Sequence, residues 1–153
     1  MGTKSDFEEF DLSERIERIA DYLNKRLPSL GKKVELRNDI HPGITIFANG
    51  SLLAWSIENI IRNGIDAIEK NDGVVSISLR KFNNDIKIRI QDNGRGIPKK
   101  DWKNIFRPGF STKKAGWGLG LSLSSRIIED IHSGQLKVSE SSNEVGTILE
   151  ISL

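Results

Sequence analysis

The sequence predicts an α+β fold in which three helices cover one face of a mixed, mainly antiparallel sheet. Several short segments alternate apolar and polar residues, so each strand that they predict has one apolar face. Three longer segments repeat apolar residues at the helical period, and the two kinds of segment are interleaved along the chain. A sheet with one apolar face needs a covering layer, and amphipathic helices supply it. The expected architecture is therefore a two-layer α/β sandwich.

The first helix is predicted over the segment DLSERIERIADYLNKRL. Asp11 and Glu14 have capping-box spacing at its start, and Pro28 ends it. The apolar residues in between share one stripe of the helix: Ile16, Ile19, Ala20, Leu23 and Leu27. Two short strands, KKVELRND and ITIFAN, are expected on either side of the turn HPG.

The second helix is expected from about residue 51 to residue 70, on the helical spacing of Leu53, Ile57, Ile60, Ile61, Ile65 and Ile68. A hairpin follows it. Its strands, VVSISLRKF and DIKIRIQD, alternate cleanly around a turn at Asn83 and Asn84, so the hairpin has one buried face.

A long glycine-rich connection occupies residues 93–118, with only a short helical patch near KKDWKNIF. Connections of this length inside a compact domain are usually functional. A third helix, LGLSLSSRIIEDIH, is expected to end at Ser133 and Gly134, and the strands QLKVSE and GTILEIS close the chain.

The composition excludes several classes of function. With 153 residues, 37% of them hydrophobic, the chain fits one globular domain over residues 7–153 after a leader or linker at residues 1–6. The net charge is only +2 and the basic residues are scattered, which argues against nucleic-acid binding. The absence of cysteine excludes disulfides and thiolate metal sites. Without a long apolar run or a signal peptide, we expect a cytoplasmic domain that makes no membrane contact, even if the full-length protein is membrane-anchored.

One polar stripe on the second helix is a candidate site. Asn59, Asn63 and Asp66 follow one another at i, i+4 and i+7, beside the apolar stripe. Asn63 and Gly64 together cost the helix roughly 1–1.5 kcal/mol relative to alanines. The stripe is either an exposed polar face or a set of oxygen ligands for a hard cation such as Mg²⁺, with Gly64 allowing another backbone to come close.

Two further motifs are candidates for ligand contacts. In QDNGRGIP, Asp92 ends a strand and either forms a common Asp-Asn-Gly turn or presents a carboxylate to an amine, with Gly94 and Gly96 leaving space for a flat ring. In STKKAGWGLGLSLSSR, glycines and two lysines precede a helix N-terminus, so this segment is either an anion site or a plain surface loop. His41 and His132 are interpreted as structural, and the three tryptophans mainly as packing residues.

These motifs occur in an order that resembles the ATP-binding domain of the GHKL superfamily, which comprises gyrase, heat-shock chaperone, histidine kinase and MutL ATPases. ENIIRNGIDAI resembles the N box, DNGRGIP the first glycine box, IFRPGFSTK the F box and GWGLGLSLS the second glycine box. IHSGQL and VGTILEISL resemble the closing strands. The resemblance covers nearly the whole chain and implies the Bergerat-type α/β sandwich.

Within that superfamily the sequence is most similar to the catalytic domain of two-component sensor histidine kinases. The paired asparagines, FSTK before GWGLGL, and the segment FDLSERIERI favour that group. Gyrase-like members have a water-activating glutamate where Asn59 stands, so the resemblance implies phosphoryl transfer to another acceptor instead of efficient hydrolysis. The sequence departs from the usual pattern in having Gly64 where alanine is common, and HSG instead of HGG.

The resemblance implies that the domain binds ATP with Mg²⁺. Asn63 would ligate the Mg²⁺ that bridges the phosphates, and Asn59 would support the phosphate region, which makes Asn59, Asn63 and Lys113 the expected catalytic residues. Asp92 would accept a hydrogen bond from the adenine amine. A lid would span roughly residues 97–117. The other expected nucleotide contacts are Asp66, Gly94, Gly96, Ile97, Phe110, Thr112, Lys113, Gly116, Gly118, Leu119, Gly120, Leu121 and Thr147.

The partners implied by the resemblance are a histidine-bearing helical dimerisation domain of the same kinase and the receiver domain of a response regulator. Neither His41 nor His132 lies in the context of a family acceptor, so the acceptor histidine is expected outside this chain. Dimers in this family form through the helical dimerisation domain, which is a hairpin of two helices expected outside this chain. The isolated domain is therefore expected to be a monomer. Two alternatives stay open: a related GHKL serine kinase, and a non-catalytic nucleotide-binding module.

Overall fold

The computed structural model describes residues 6–31, 33–69, 71–110 and 118–153. Its strands are β1 (Phe7–Asp11), β2 (Val34–Ile40), β3 (Thr45–Asn49), β4 (Gly73–Phe82), β5 (Asp85–Asp92), β6 (Gln135–Ser142) and β7 (Gly146–Ser152). Its helices are α1 (Leu12–Arg26), α2 (Gly50–Asp66) and α3 (Gly118–Arg126), which continues as a π-helical turn at Ile127–Ile131. Short 3₁₀ turns lie at Pro28–Leu30, Lys99–Asp101 and Asn104–Phe106. No helix in these described ranges is long and apolar enough to cross a membrane.

The main sheet has five strands in the order β2-β4-β5-β7-β6, and β2 and β4 form its parallel pair. The other three pairings are antiparallel, so the predicted mixed, mainly antiparallel sheet is confirmed. The hairpin of β4 and β5 turns at Asn83, whose φ of 56° suits the tight turn that the sequence predicts. β1 and β3 pair antiparallel in a separate two-stranded sheet.

The core lies between the five-stranded sheet and the helices. Alternation along β4, β5 and β7 directs one apolar row of each strand to the helices. The apolar stripes of α1 and α2 meet those rows, and the largest fully buried side chains come from both layers: Leu12, Ile16, Leu53, Ile57, Ile60, Ile61, Ile68, Ile77, Leu79, Ile88, Ile128 and Ile151. Each such side chain contributes roughly 1.5–3 kcal/mol by burial, so this contact fixes how α2 is rotated against the sheet.

Polar caps set where α1 and α2 begin. The Asp11 side chain accepts a hydrogen bond from the Glu14 backbone N–H at 2.9 Å, as its spacing predicts. Asn49 caps α2 in the same way, by accepting from the Leu52 N–H at 3.1 Å. Replacing a cap of this kind with alanine costs about 1 kcal/mol.

The two strands around the HPG turn do not pair with each other. β2 lies at the edge of the main sheet, whereas β3 pairs with β1, which the sequence did not predict because FEEFD lacks alternation. Ser13 holds the turn against α1: its hydroxyl donates to the His41 carbonyl at 2.6 Å and accepts from the Ile44 N–H at 3.0 Å. These contacts join residues far apart in sequence, and local patterns carry no signal for them.

His132 has the structural role that the sequence predicts. Its Nε2 accepts a hydrogen bond from the Asn49 backbone N–H at 3.1 Å, and its Nδ1 lies 2.9 Å from the Ile127 carbonyl oxygen. Its ring also stacks on Phe7 with a centroid distance of 5.1 Å. His132 therefore ties the end of the third helix to β1 and to the start of α2.

The outer face of the main sheet contains one buried carboxylate, that of Glu150. Arg89 lies 2.8 Å from it, and Lys87 and Lys137 lie at 3.7 and 3.8 Å. Burial alone would raise the pKa of Glu150, but the hydrogen bond from Arg89 and the three positive charges together hold it below its usual value of 4.5.

We expect this cluster to make stability depend on pH. Because the folded-state pKa of Glu150 is lowered, its contribution is fully present above the unfolded-state pKa and is lost as pH falls through the folded-state value. Denaturant unfolding at about pH 7 and about pH 3 should therefore show a larger loss for the native chain than for Glu150→Gln. Glu140→Gln, at an exposed position of β6, is the matched control and should follow the native chain. Equal acid sensitivity of native and Glu150→Gln proteins would contradict the cluster.

Candidate functional site

Asn59, the first residue of the polar stripe on α2, faces the interior of the domain. Asn59 is 7% exposed, and Asn63 and Asp66 are half-buried. The alternative of a solvated polar face is therefore wrong for Asn59. One carboxylate oxygen of Asp66, Oδ2, is buried without a hydrogen-bond partner in the part of the chain that the structure describes. A buried oxygen of this kind is costly unless a ligand or ion completes it.

The amide of Asn59 lies against α3. Its Nδ2 donates a hydrogen bond to the Ser124 hydroxyl at 3.3 Å, and both side chains are buried. Gly120 lies beside the same amide so closely that a methyl group there would overlap Asn59 Nδ2. The structure thus brings Asn59 and Gly120, which the sequence predicts as site residues, into direct contact.

Asp92 occupies the last position of β5 on the core face of the sheet. It is 5% exposed, and its cross-strand partners are Val75 on β4 and Thr147 on β7. Its Oδ1 accepts a hydrogen bond from the Gly94 N–H at 2.8 Å, so the Asp-Asn-Gly segment does form the local turn bond that the sequence allows. The chain does not return as a hairpin, however. Asn93 bonds to both backbone groups of Val74 and extends the ladder with β4.

Gly94 lies at the end of α2. A methyl group at Gly94 would come within 2.5 Å of the Ala67 carbonyl oxygen, and the neighbouring Arg95 N–H donates to that same carbonyl at 3.4 Å. Only a residue without a side chain fits so close to a backbone carbonyl. The first glycine motif is thereby held against the helix that carries the asparagines.

Ile97 and Thr147 are joined through a serine. The Ile97 N–H donates to the Ser141 hydroxyl at 2.6 Å, and that hydroxyl lies 2.7 Å from the hydroxyl of Thr147. Trp102 donates its indole N–H to the Ile97 carbonyl at 3.0 Å and packs on the core, in agreement with its predicted packing role. Sequence reasoning missed Ser141 because its register opposite Thr147 exists only in the folded sheet.

Comparison with known proteins identifies the family. Residues 49–153 match the family described as histidine kinase-, DNA gyrase B- and HSP90-like ATPase. The chain belongs to this ATPase family. The matched range contains α2, the end of β5, the glycine loops and α3, so it covers the whole candidate site.

Individual relatives of this ATPase domain are kinases. Sporulation kinase C of Bacillus subtilis (strain 168) is 33% identical over 147 residues, which are 96% of this chain and 34% of the relative. Signal transduction histidine-protein kinase AtoS of Escherichia coli (strain K12) is 40% identical over 105 residues, or 68% of this chain and 16% of that protein. The chain thus spans about a third or less of the length of these curated relatives.

A solved structure shows the same fold. The catalytic domain of histidine kinase ThkA superposes with a TM-score of 0.85 at 25% identity, covering 96% of this chain and 94% of that one. The predicted GHKL-type catalytic domain and its α/β sandwich are therefore confirmed.

Gly64 of the ATPase domain does not do what the sequence led us to expect. Its nearest neighbours are the side chains of Asp92 and Val75, not another backbone, so that expectation is wrong. A methyl group at Gly64 would lie 3.5 Å from Asp92 Cβ and 3.7 Å from Asp92 Oδ2, which is ordinary contact. The reason is that α2 presents Gly64 to the core face of β5, where side chains stand between the two backbones. Asp92, the candidate for reading adenine, therefore contacts α2 at Gly64, the residue next to Asn63.

The remaining predicted site residues differ in how far the structure describes them. Thr112, Lys113 and Gly116 lie outside the described residues, and Gly118 and Leu119 are described only as the backbone that begins α3. Phe110 is half-buried on the core, and the side chain of Leu121 is buried in it. Gly96 has a φ of 79° and lies against the Ser142 carbonyl, which fixes the loop to the β6–β7 turn.

The described residues contain no group of three or more His, Asp or Glu side chains that could hold a metal ion by themselves. Mg²⁺ does not require one, because it is usually held by one or two protein oxygens together with phosphate oxygens and water. The Asn63 carboxamide and the unpartnered Asp66 Oδ2 fit that kind of shared site.

A pair of glycine substitutions tests this geometry. Gly94→Ala should destabilise the domain by roughly 1–3 kcal/mol, because its methyl group must displace the end of α2. Gly64→Ala should stabilise it by roughly 0.5–1 kcal/mol, because alanine favours the helix and fits the space. Urea unfolding of both variants measures the difference. A shift in the same direction for both would contradict the described packing.

Proposed function

We propose that this domain binds Mg-ATP between α2, the end of β5 and α3, and donates the γ-phosphoryl group to a histidine on a separate helical dimerisation domain. The observation that carries the proposal is the placement of Asp92 under Gly64, directly beside Asn63 on α2. The same part of α2 thus contacts the buried Asp92 carboxylate and carries the polar stripe of Asn59, Asn63 and Asp66. Membership of the ATPase family supports ATP as the ligand.

Asp92 is the proposed reader of adenine. Its carboxylate is buried at the end of β5, and a buried carboxylate presents acceptors to the exocyclic amine of adenine. Its Oδ1 already accepts from Gly94, which holds the carboxylate in a fixed orientation. Gly94 and Gly96 let the adjoining loop pack against the Ala67 and Ser142 carbonyls, so the expectation that they leave space for a flat ring is not what their surroundings show.

Asn63, supported by Asp66, is the proposed Mg²⁺ ligand, and Asn59 the proposed support for the phosphates. When bound, Mg²⁺ would neutralise phosphate charge during transfer. Phosphoryl transfer needs chiefly positioning and electrostatic stabilisation. The buried Asn59 amide is hydrogen-bonded to Ser124, and the second N–H of its nitrogen can donate to a phosphate oxygen. Lys113 is the proposed additional positive charge at the phosphates.

Transfer is favoured over hydrolysis by what surrounds position 59. Asn59 is not a base, and the adjacent Glu58 lies 3.8 Å from Arg62 on another face of α2. A carboxylate in that ion pair is not placed to activate water at the Asn59 side of the helix. The phosphoryl group is therefore proposed to go to an acceptor side chain on a partner.

Two protein partners complete the proposal. The first is the histidine-bearing dimerisation domain of the same kinase, since relatives such as AtoS are named histidine-protein kinases and are much longer than this chain. The second is the receiver domain of a response regulator; histidine kinase ThkA has been solved in complex with a response regulator protein, TrrA. We also propose that the domain works as a monomer in the cytoplasm, where ATP is available.

Calorimetry with a non-hydrolysable Mg-ATP analogue tests the binding site. Asp92→Asn should weaken binding roughly ten- to a hundredfold, because the new amide presents a donor to the adenine amine and a charge-assisted hydrogen bond is lost. Asp85→Asn, an exposed position at the start of the same strand, is the matched control and should bind normally. If the unaltered chain does not bind the analogue at millimolar concentration, the proposal is wrong.

Radiolabelled ATP tests the transfer. The chain alone should label itself negligibly, and adding the cognate helical hairpin should give an acid-labile, base-stable label on that hairpin. Asn63→Ala should abolish the label by removing a proposed Mg²⁺ ligand, whereas His41→Ala, at an exposed turn, should leave it intact. A label on His132 or on a serine of a partner would overturn the histidine-kinase assignment and leave the ATP site standing.

A further inference from the structure

Ser124 is a buried polar residue next to the site to which no sequence motif assigns a role. It lies on α3, it is fully buried, and its hydroxyl accepts the hydrogen bond from Asn59 Nδ2 at 3.3 Å. Among the described residues, Ser124 is the one hydrogen-bond partner of the Asn59 side chain. One hydroxyl of the neighbouring helix thus holds the Asn59 amide.

Gly120 and Ser124 act together on that amide. They are four residues apart on α3, so they share one face of the helix, one turn from each other. Gly120 lets the helix come close enough to touch the amide, and Ser124 supplies the polar partner at the end of the contact. Larger residues at either position would separate α3 from α2.

The two ends of a carboxamide are chemically different. Nδ2 is only a donor and Oδ1 only an acceptor, so a rotation by half a turn exchanges what the amide offers to a ligand. With one N–H of Nδ2 directed to Ser124, the second N–H of the same nitrogen can donate to a phosphate oxygen. A serine hydroxyl can pair with either end of an amide, and in this structure it pairs with Nδ2 of Asn59, a residue that is only 7% exposed.

We propose that Ser124 is a positioning residue that holds the Asn59 amide in place at the phosphate end of the nucleotide. The inference rests on the proposed function, because it assumes that Asn59 acts at the phosphates. It adds that the contact of α3 with α2 holds Asn59 in place.

The experiment compares two ligands by calorimetry. Ser124→Ala should lower the affinity for a non-hydrolysable Mg-ATP analogue about tenfold, the usual size of one lost hydrogen bond with its stranded partner. Its affinity for adenosine, which lacks phosphates, should stay within about twofold of the native value. A merely structural defect would weaken both ligands together, so the ratio of the two affinities reports positioning.

Three further variants separate positioning from packing. Ser124→Cys fills the space that alanine leaves but is a weak acceptor, so it should keep most of the defect if the hydrogen bond is the cause. Ser56→Ala is the matched control, since Ser56 is equally buried and, among the described residues, its hydroxyl bonds only to the Leu52 carbonyl within α2. Adding Ser124→Ala to Asn59→Ala should cause no further loss, because a residue that acts through Asn59 has nothing left to position.

Each outcome decides between distinct conclusions. Native affinity of Ser124→Ala, full rescue by Ser124→Cys, or additive losses in the double variant would each overturn the positioning role while leaving nucleotide binding in place. No binding by the unaltered chain would instead remove the proposed function and, with it, this inference. An equal loss for the analogue and adenosine would reduce Ser124 to a packing residue.

Discussion

The packing of α2 against the sheet is the constraint on which the rest of this domain depends. Leu53, Ile57 and Ile60 are fully buried, and together with Ile61 they fix the rotation of the helix about its axis. That rotation places Asn59 against α3 and Gly64 against Asp92 at the same time. The chemistry proposed for the site is therefore a by-product of how the apolar stripe is buried, and a change in that stripe would displace every polar group on the helix.

Small side chains occur where elements carrying site residues meet. Gly94 lies against the end of α2, Gly64 against Asp92, and Gly120 against Asn59. The three contacts are not equivalent, because Gly94 and Gly120 leave no room for a methyl group and Gly64 does. Interiors packed to crystal-like density transmit such differences directly. Gly94 is therefore sterically required by the Ala67 backbone, a methyl group at Gly120 would force the Asn59 amide to move, and Gly64 is a cost in helix propensity that the fold tolerates.

Buried hydroxyls and one imidazole connect the site to the rest of the molecule. Ser124 holds Asn59, Ser141 joins Ile97 to Thr147, and His132 ties the third helix to the start of α2 through Asn49. Each of these bonds satisfies a polar group that burial would otherwise leave at a cost of about 1–3 kcal/mol. They therefore specify one arrangement of α2, α3 and the backbone at Ile97 instead of a range of similar packings.

The sequence by itself determined the elements with clear periodicity: α1, α2, the β4–β5 hairpin and the closing strands, because those patterns are local. It also predicted that Asn59, Asn63 and Asp92 belong to one site, through the order of motifs resembling a known superfamily. Only the tertiary structure decided that β2 joins the sheet edge while β3 pairs with β1, and that Ser124 bonds to Asn59 and Ser141 to Ile97. These are contacts between residues tens of positions apart. Their energies depend on register and burial, which no local stretch of the chain contains.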